Sequence, residues 1–246
     1  MISVCMATYN GARFIKQQID SILPQLGVAD ELVISDDGST DGTLEIIAAY
    51  NDERIRVFQH HREKSTYYSK MSVPYASFNF ENALRNAKGD YIFLADQDDI
   101  WLPTKIAECV ALLEEYDYVL SNLSVVDEMG KIVKEKMYEK KPFSSNALMN
   151  CIRPNFWGCC ACFNQKILER ALPFPKSVCL HDFWIGLVAT KMGKMFWFEK
   201  TLVLHRVGNQ NTSTGGKKSQ NPLLIKFLYR FYAFIEYLKL KKETSE

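Results

Sequence analysis

Three apolar stretches of this chain end in polar clusters whose side chains could do chemistry together. Ile2–Ala7 runs into Thr8-Tyr9-Asn10, Glu31–Ser35 into Asp36-Asp37-Gly38-Ser39, and Tyr91–Ala95 into Asp96-Gln97-Asp98-Asp99. Asp96 and Asp98 are hard oxygen donors two positions apart, suited to Mg²⁺ or Mn²⁺. A cation held there would screen a diphosphate that bare carboxylates would repel. Tyr9 offers a ring on which a nucleobase can stack, and Asp37 an acceptor for a base N–H. Neither a G-x-x-x-x-G-K loop nor a G-x-G-x-x-G turn follows the first stretch, so the two commonest phosphate cradles are excluded. Taken singly, Asp36, Asp41 and Asp99 read equally well as turn formers or helix caps and as ligand-binding groups. Their convergence is what points to a ligand.

Convergence requires the three stretches to be parallel strands, so that their ends share one edge of a sheet. The pattern supports this. Each run is short, apolar and followed by a helical periodicity. Phe14, Ile15, Gln18, Ile19, Ile22, Leu23 and Leu26 are spaced as an amphipathic helix with a break at Pro24. Thr43–Tyr50 is a second helix, with Asp41 as its N-cap, and Arg54–Gln59 a third strand. Residues 60–76 read as a long polar loop, Phe78–Lys88 as a helix stopped by Gly89, and a helix from Pro103 reaches about Tyr116. Tyr118–Asn122 is a strand, and Val125–Val133 a hairpin turning at Gly130. Beyond residue 140 the reading is looser: Trp157–Phe163 as an apolar strand, Gln165–Leu172 and His181–Met192 as helices, Met195–Glu199 and Leu202–Leu204 as extended segments. Alternating strands and helices predict an α/β fold. Ligands of such sheets bind outside the carboxyl ends, where strand order reverses.

The chain has 246 residues, 47% apolar and 24% charged, which excludes a disordered or fibrous class. A net charge of +1 gives no case for nucleic acid. The charge is uneven, however: residues 217–242 carry +6 and residues 1–216 carry −3. No apolar run approaches the roughly 20 residues of a membrane span, and no charged n-region precedes the first apolar run. Seven cysteines at irregular spacings read as reduced thiols of a cytoplasmic protein. Cys159-x-x-Cys162, Cys160 and Cys179-x-His181 invite a zinc site, but a buried cysteine-rich strand is the more ordinary reading.

The segments ISVCMATYNG, ELVISDDGSTDGT and GDYIFLADQDDIW-x-P, in this order and spacing, resemble glycosyltransferase family 2, and the ADQDDIW form resembles its rhamnosyltransferase-like branch. The resemblance is strong over about residues 1–115 and extends weakly to about 206. It implies a GT-A fold, with a Rossmann-like, mostly parallel sheet flanked by helices, and inverting transfer from a nucleotide-diphosphate sugar. Thr8, Tyr9, Asn10 and Asp37 would hold the nucleoside, and Asp96 and Asp98 would be the D-x-D pair at ribose and metal. Asp182, in Leu180-His181-Asp182, would be the general base on the acceptor hydroxyl, with His181 the competing base or an orienting histidine. Trp157 and Gly158 fall where relatives bind acceptor. The family branch often carries Tyr-Arg-Gln-His near the end of its catalytic domain, whereas this chain reads Leu204-His205-Arg206-Val207. That leaves His205 as a candidate metal ligand and Arg206 as a candidate for the diphosphate.

The domain expected is 1–206, with a nucleotide-sugar half (about 1–122) and an acceptor half (about 123–206). A flexible loop over 207–221 and a basic amphipathic helix over 222–246 follow. The helix suits a membrane interface beside a lipid-linked glycan acceptor, on the inner face of a cell membrane. Packing on the domain or on a second copy in a homodimer is the other use of its apolar stripe. The setting implied is surface polysaccharide or lipopolysaccharide synthesis. Two rivals stand beside this reading. A sugar nucleotidyltransferase would need a glycine-rich, arginine-containing loop after the first strand. A non-catalytic membrane-associated binding module would explain the tail and not the acidic rim.

Overall fold

The computed structural model describes residues 1–61, 73–208 and 222–241. Nine strands among them form one sheet: β1 (Ile2–Thr8), β2 (Glu31–Asp36), β3 (Ile55–Gln59), β4 (Tyr91–Asp96), β5 (Ile100–Trp101), β6 (Tyr118–Val126), β7 (Ile132–Lys134), β8 (Ala161–Asn164) and β9 (Met195–Arg206). Their order is β3-β2-β1-β4-β8-β6-β9-β5, with β7 paired to β6. The helices are α1 (Ile15–Ile22), α2 (Thr43–Ala48), α3 (Val73–Arg85), α4 (Lys105–Leu113), α5 (Ala147–Ile152), α6 (Gln165–Ala171), α7 (His181–Met192) and α8 (Leu223–Lys239). This is a mixed α/β fold of the GT-A kind.

The first four strands in spatial order are parallel. Every residue of β2 and most of β1 and β4 are buried, the continuous apolar pattern of strands covered on both faces. Register brings their carboxyl ends level, with Thr8 opposite Asp36 and Ala7 opposite Asp96. Because β2 lies on one side of β1 and β4 on the other, strand order reverses there and a crevice opens.

The rest of the sheet is built differently. β8 runs antiparallel to both β4 and β6, and β9 runs parallel to β6. The two-residue strand β5 pairs antiparallel with β9, Ile100 opposite Leu204. That pairing brings the chain just after Asp99 against the end of β9, beside His205 and Arg206.

Several boundaries differ from the sequence expectation. Trp157–Phe163 is not one strand: Gly158–Cys160 forms a 3₁₀ turn and the strand begins at Ala161. Met195–Arg206 is continuous where two segments were expected: it pairs with β6 on both sides of a register irregularity that spans polar Glu199-Lys200, and with β5 only at Val203 and Leu204. Helix α3 begins at Val73, inside the expected loop of 60–76; residues 62–72 of that loop lie outside the described residues. Most of the expected loop 207–221, from residue 209, also lies outside them. Helix α5 was not read from the sequence, being a single short turn-and-a-half capped by Asn146 through Leu148 N.

At Gly89 the backbone runs against β1. A Cβ there would lie 2.5 Å from Ser3 N and 2.8 Å from the Ile2 carbonyl carbon, and the Gly89 N–H donates to Ser3 Oγ at 2.7 Å. Gly89→Ala is therefore expected to destabilise the protein by about 1–3 kcal/mol. Urea unfolding checks this: the midpoint falls with an unchanged slope, and an unchanged midpoint would refute the close approach.

Candidate active site

The rim formed by β1 and β2 is held by hydrogen bonds that the turns cannot make elsewhere. Asp36 accepts from Thr8 Oγ1 (2.8 Å), Gly38 N (3.0 Å), Ser39 N (2.8 Å) and Ser39 Oγ (2.5 Å). It fixes the turn that carries the next residue. Asp37 is buried; its N–H donates to Thr8 O at 3.0 Å and its Oδ1 lies 2.5 Å from His60 Nδ1. His60 was not among the sequence candidates. Its only signal was its position directly after β3, whose Gln59 pairs with Asp36. Tyr9 is 39% exposed, and Gln97 clasps its backbone, accepting from Tyr9 N (2.9 Å) and donating to Tyr9 O (3.1 Å). Asn10 takes a left-handed φ of 48°, which asparagine tolerates, and binds Ser39 Oγ and Thr40 N. Thr8, Tyr9, Asn10 and Asp37 thus share one rim.

Beside that rim is a cluster of carboxylates. The donor atoms of Asp96, Asp99, Cys159 and His205 lie within 4.8 Å of one another. His205 Nδ1 lies 2.8 Å from Asp99 Oδ1, which also accepts from Arg206 N at 3.2 Å. Asp99 Oδ2 is buried without a hydrogen-bond partner among the described residues. Asp98 is not one of the four convergent donors, although it shares their field. Sequence reading singled out Asp96 and Asp98 and left Asp99 open between turn former and ligand. The signal for Asp99 was its place in the same short acidic run.

The electrostatics follow from this crowding. Burial, then the Asp99 and Asp98 charges, hold the Asp96 carboxyl well above its ordinary range. Burial and Asp99 push Asp98 up to about 7. At His205 burial alone would lower the pKa, but the Asp99, Asp96 and Asp98 carboxylates outweigh it and lift it to about 9. The hydrogen bond with Cys160, followed by burial, keeps the Cys159 thiol protonated. The hard oxygen donors and the orphaned Asp99 Oδ2 therefore fit Mg²⁺ or Mn²⁺. The expected alternative of zinc among Cys159, Cys160, Cys162, Cys179 and His181 is not assembled: of these only Cys159 joins a candidate group among the described residues.

Arg206 props this cluster. It is 2% exposed; its Nε donates to the Asp98 carbonyl (3.1 Å), Nη1 to the Glu128 carbonyl (2.9 Å) and Nη2 to Gln17 Oε1 (2.7 Å). The guanidinium carbon sits 4.4 Å above the Phe14 ring. These contacts hold the Asp96–Asp99 turn in place.

Asp182 stands in the first turn of α7. Its Oδ1 accepts from Phe183 N at 2.7 Å, and Gly158 N also donates to it. Burial raises its pKa to about 6, and its charge is felt at Asp96. Gly158 allows this approach: a Cβ there would lie 3.0 Å from His181 Nε2 and 3.4 Å from Asp182 Cβ. His181 stacks on Phe80 with ring centroids 4.0 Å apart, and its N–H donates to Ser77 Oγ at 3.0 Å. Burial drives its pKa down to about 3, so the ring is neutral and a weak base. Trp157 meets the His205 ring edge-on at 4.9 Å. Asp96, Asp98, Asp99, Asp182, Trp157, Gly158 and His205 are thus brought together from strands and helices far apart in the chain.

Residues 3–172 match the family model for glycosyl transferase family 2. The chain belongs to glycosyltransferase family 2. It is 38% identical over 135 residues to the putative glycosyltransferase EpsE of Bacillus subtilis, covering 52% of this chain and 45% of EpsE. It is 25% identical over 193 residues to the Escherichia coli UDP-Glc:alpha-D-GlcNAc-diphosphoundecaprenol beta-1,3-glucosyltransferase WfgD, covering 78% of this chain and 70% of WfgD. Among solved structures, S. aureus TarS 1–349 in complex with UDP-GlcNAc superimposes with a TM-score of 0.71 at 19% identity, covering 95% of this chain and 65% of that one. A mannosyltransferase of Pyrobaculum calidifontis in complex with GDP-Man and Mn²⁺ gives 0.60 at 19% identity, over 96% and 69% of the two chains. The chain spans less than half the length of EpsE.

If the acidic cluster holds a cation, Asp99→Ala should weaken Mn²⁺ binding by about tenfold or more in the absence of nucleotide. Calorimetric titration with Mn²⁺ tests this; unchanged affinity would remove Asp99 from the metal set.

Proposed function

We propose that this family 2 glycosyltransferase transfers a sugar, with inversion, from a nucleotide-diphosphate donor to a hydroxyl of a glycan or lipid-linked glycan. The observation that carries the reading is the juxtaposition of an acidic cluster at the strand-order reversal with Asp182, a half-buried carboxylate from another helix. Thr8, Tyr9, Asn10 and Asp37 hold the nucleoside, with His60 orienting the Asp37 carboxylate. Asp96, Asp98 and Asp99 would hold Mg²⁺ or Mn²⁺, with His205 as a further ligand once the cation displaces its proton, and the cation would neutralise the departing diphosphate.

Asp182 is the general base. A sugar hydroxyl is a poor nucleophile, and proton removal as the bond forms contributes about 10²–10⁴-fold. The acceptor O–H gives its proton to Asp182, the oxygen bonds to the anomeric carbon, and the bond to the diphosphate oxygen breaks. Attack opposite the leaving group inverts the anomeric centre. The carboxylate is poised for this because burial brings its pKa near the working range. His181, neutral and packed on Phe80, orients the start of α7, and Trp157 and Gly158 border the acceptor side.

Residues 1–122 form the donor half, 123–206 the acceptor half, and α8 the contact with the inner face of a membrane. The setting is surface polysaccharide assembly by a rhamnosyltransferase-like enzyme. WfgD, whose name specifies a diphosphoundecaprenol acceptor, supports a lipid-linked substrate.

Screening nucleotide sugars for Mn²⁺-stimulated hydrolysis tests the donor side; no turnover of any donor, with or without Mn²⁺, would refute the reading. Asp182→Asn should retain donor binding and lose about 10²–10⁴-fold in transfer; normal turnover would put the base elsewhere. Because the active form is the carboxylate and its pKa is raised to about 6, the transfer rate should fall as pH drops through about 6. A rate that stays flat down to the ordinary carboxylate range would contradict that role.

A further inference from the structure

Helix α8 is apolar on two sides. Tyr229 and Ala233 are buried against the domain, while Leu223, Leu224, Phe227, Phe231 and Leu238 are exposed, Leu223 at 82% and Phe227 at 62%. The exposed stripe continues onto α5, where Leu148, Met149 and Ile152 are also exposed. Between the two helices lies an open cavity of about 340 Å³, walled by Leu148, Cys151, Ile152, Phe227, Phe231 and Phe234. That volume lies within the roughly 300–1,000 Å³ of ordinary ligand pockets. A contiguous apolar surface of this kind marks an interaction site.

The charges around it select the occupant. Lys226 and Arg230 line the cavity, and none of its lining residues is acidic. Arg153 follows directly at the exposed end of α5. Glu236, the one carboxylate of α8, is turned away to Ser177 (3.1 Å) and to Lys239 (2.9 Å). The Nε of Arg230 is buried without a hydrogen-bond partner among the described residues. A two-fold contact between copies would set like patches of cations against one another. An anionic lipid surface supplies hydrocarbon for the cavity and phosphate for the rim. No helix among the described residues is long and apolar enough to cross a membrane, so the contact lies in the interface plane.

We infer that α5 and α8 together form a docking site for an anionic phospholipid surface, the cavity taking an acyl chain and Lys226 and Arg230 pairing with its phosphate. This rests on the membrane contact assigned to α8 above and adds a second helix, a cavity and a ligand class. The site stands directly behind the proposed base: the Tyr229 ring meets Phe183, the neighbour of Asp182, edge-on at 6.4 Å.

The test is flotation of the full chain with vesicles of equal parts phosphatidylglycerol and phosphatidylcholine, against phosphatidylcholine alone. The chain should float with the anionic vesicles only. The variants Leu148→Ser/Ile152→Ser, Phe227→Ser/Phe231→Ser and Lys226→Glu/Arg230→Glu should each lower the bound fraction roughly tenfold or more. Monomeric dihexanoyl phosphatidylglycerol should raise the melting temperature of the parent chain and not of Leu148→Ser/Ile152→Ser. Equal binding to both vesicle types, no binding to either, or wild-type binding by the α5 variant would overturn the proposal. So would a dimer in sedimentation that the α5 variant dissolves without any vesicle binding. Donor hydrolysis in detergent-free solution should be unchanged in all three variants; its absence from the parent chain would count against the catalytic reading and leave the flotation result standing.

Discussion

Repulsion among crowded, partly buried carboxylates is the constraint around which this structure is arranged. The Asp99, Asp98 and Asp182 charges raise the cost of ionising Asp96, and Asp99 that of ionising Asp98. Natural proteins are stable by only about 5–15 kcal/mol, so such a cluster persists only where something offsets it. Here the offset within the chain is cationic and rigid. His205 is held as an imidazolium against Asp99, and Arg206 anchors the carbonyl of Asp98 while bracing on Phe14.

The sheet is what makes the crowding possible. Its parallel part sets the ends of β1, β2 and β4 level, which yields the rim of Thr8, Tyr9, Asn10 and Asp37 and the position of Asp96. The remaining strands do something the parallel part cannot. β9 runs back beside β6, and the short strand β5 then ties the residues after Asp99 to the end of β9. Two residues of pairing therefore bring together side chains 106 positions apart. Asp182 arrives by a third route, at the start of α7, anchored by Ser77 of α3 and by close approach of Gly158. Helix α8 packs behind α7, the helix that carries Asp182, through Tyr229 on Phe183.

Much of this was legible in the residues themselves. Apolar runs closed by polar turns predict parallel strands because side-chain burial on both faces is a local property of composition. The family motifs, read in order, place Thr8, Tyr9, Asn10, Asp37 and the acidic run at neighbouring strand ends, and they singled out Asp182 although its neighbours are not acidic. Asp36 as a turn former was readable from turn chemistry alone; Asp41, expected as the N-cap of α2, lies one residue too early, since Gly42 in a left-handed conformation takes that position while Asp41 accepts from Thr43 N and Oγ1. Sequence reasoning failed where pairing overrides pattern: in the continuous β9 with its polar interior, in the 3₁₀ turn within an apolar cysteine run, and in the short helix α5.

What the sequence by itself determined, then, is which residues end strands and which types could bind a cation or a base, since those depend on near neighbours. What only the tertiary structure decided is how they are used. Asp99 faces His205 rather than solvent, Arg206 braces a turn, His60 meets Asp37, and His181 is buried against Phe80 and kept neutral. Those outcomes depend on distance and burial between segments far apart in the chain, and a charge's energy is set by what surrounds it in space.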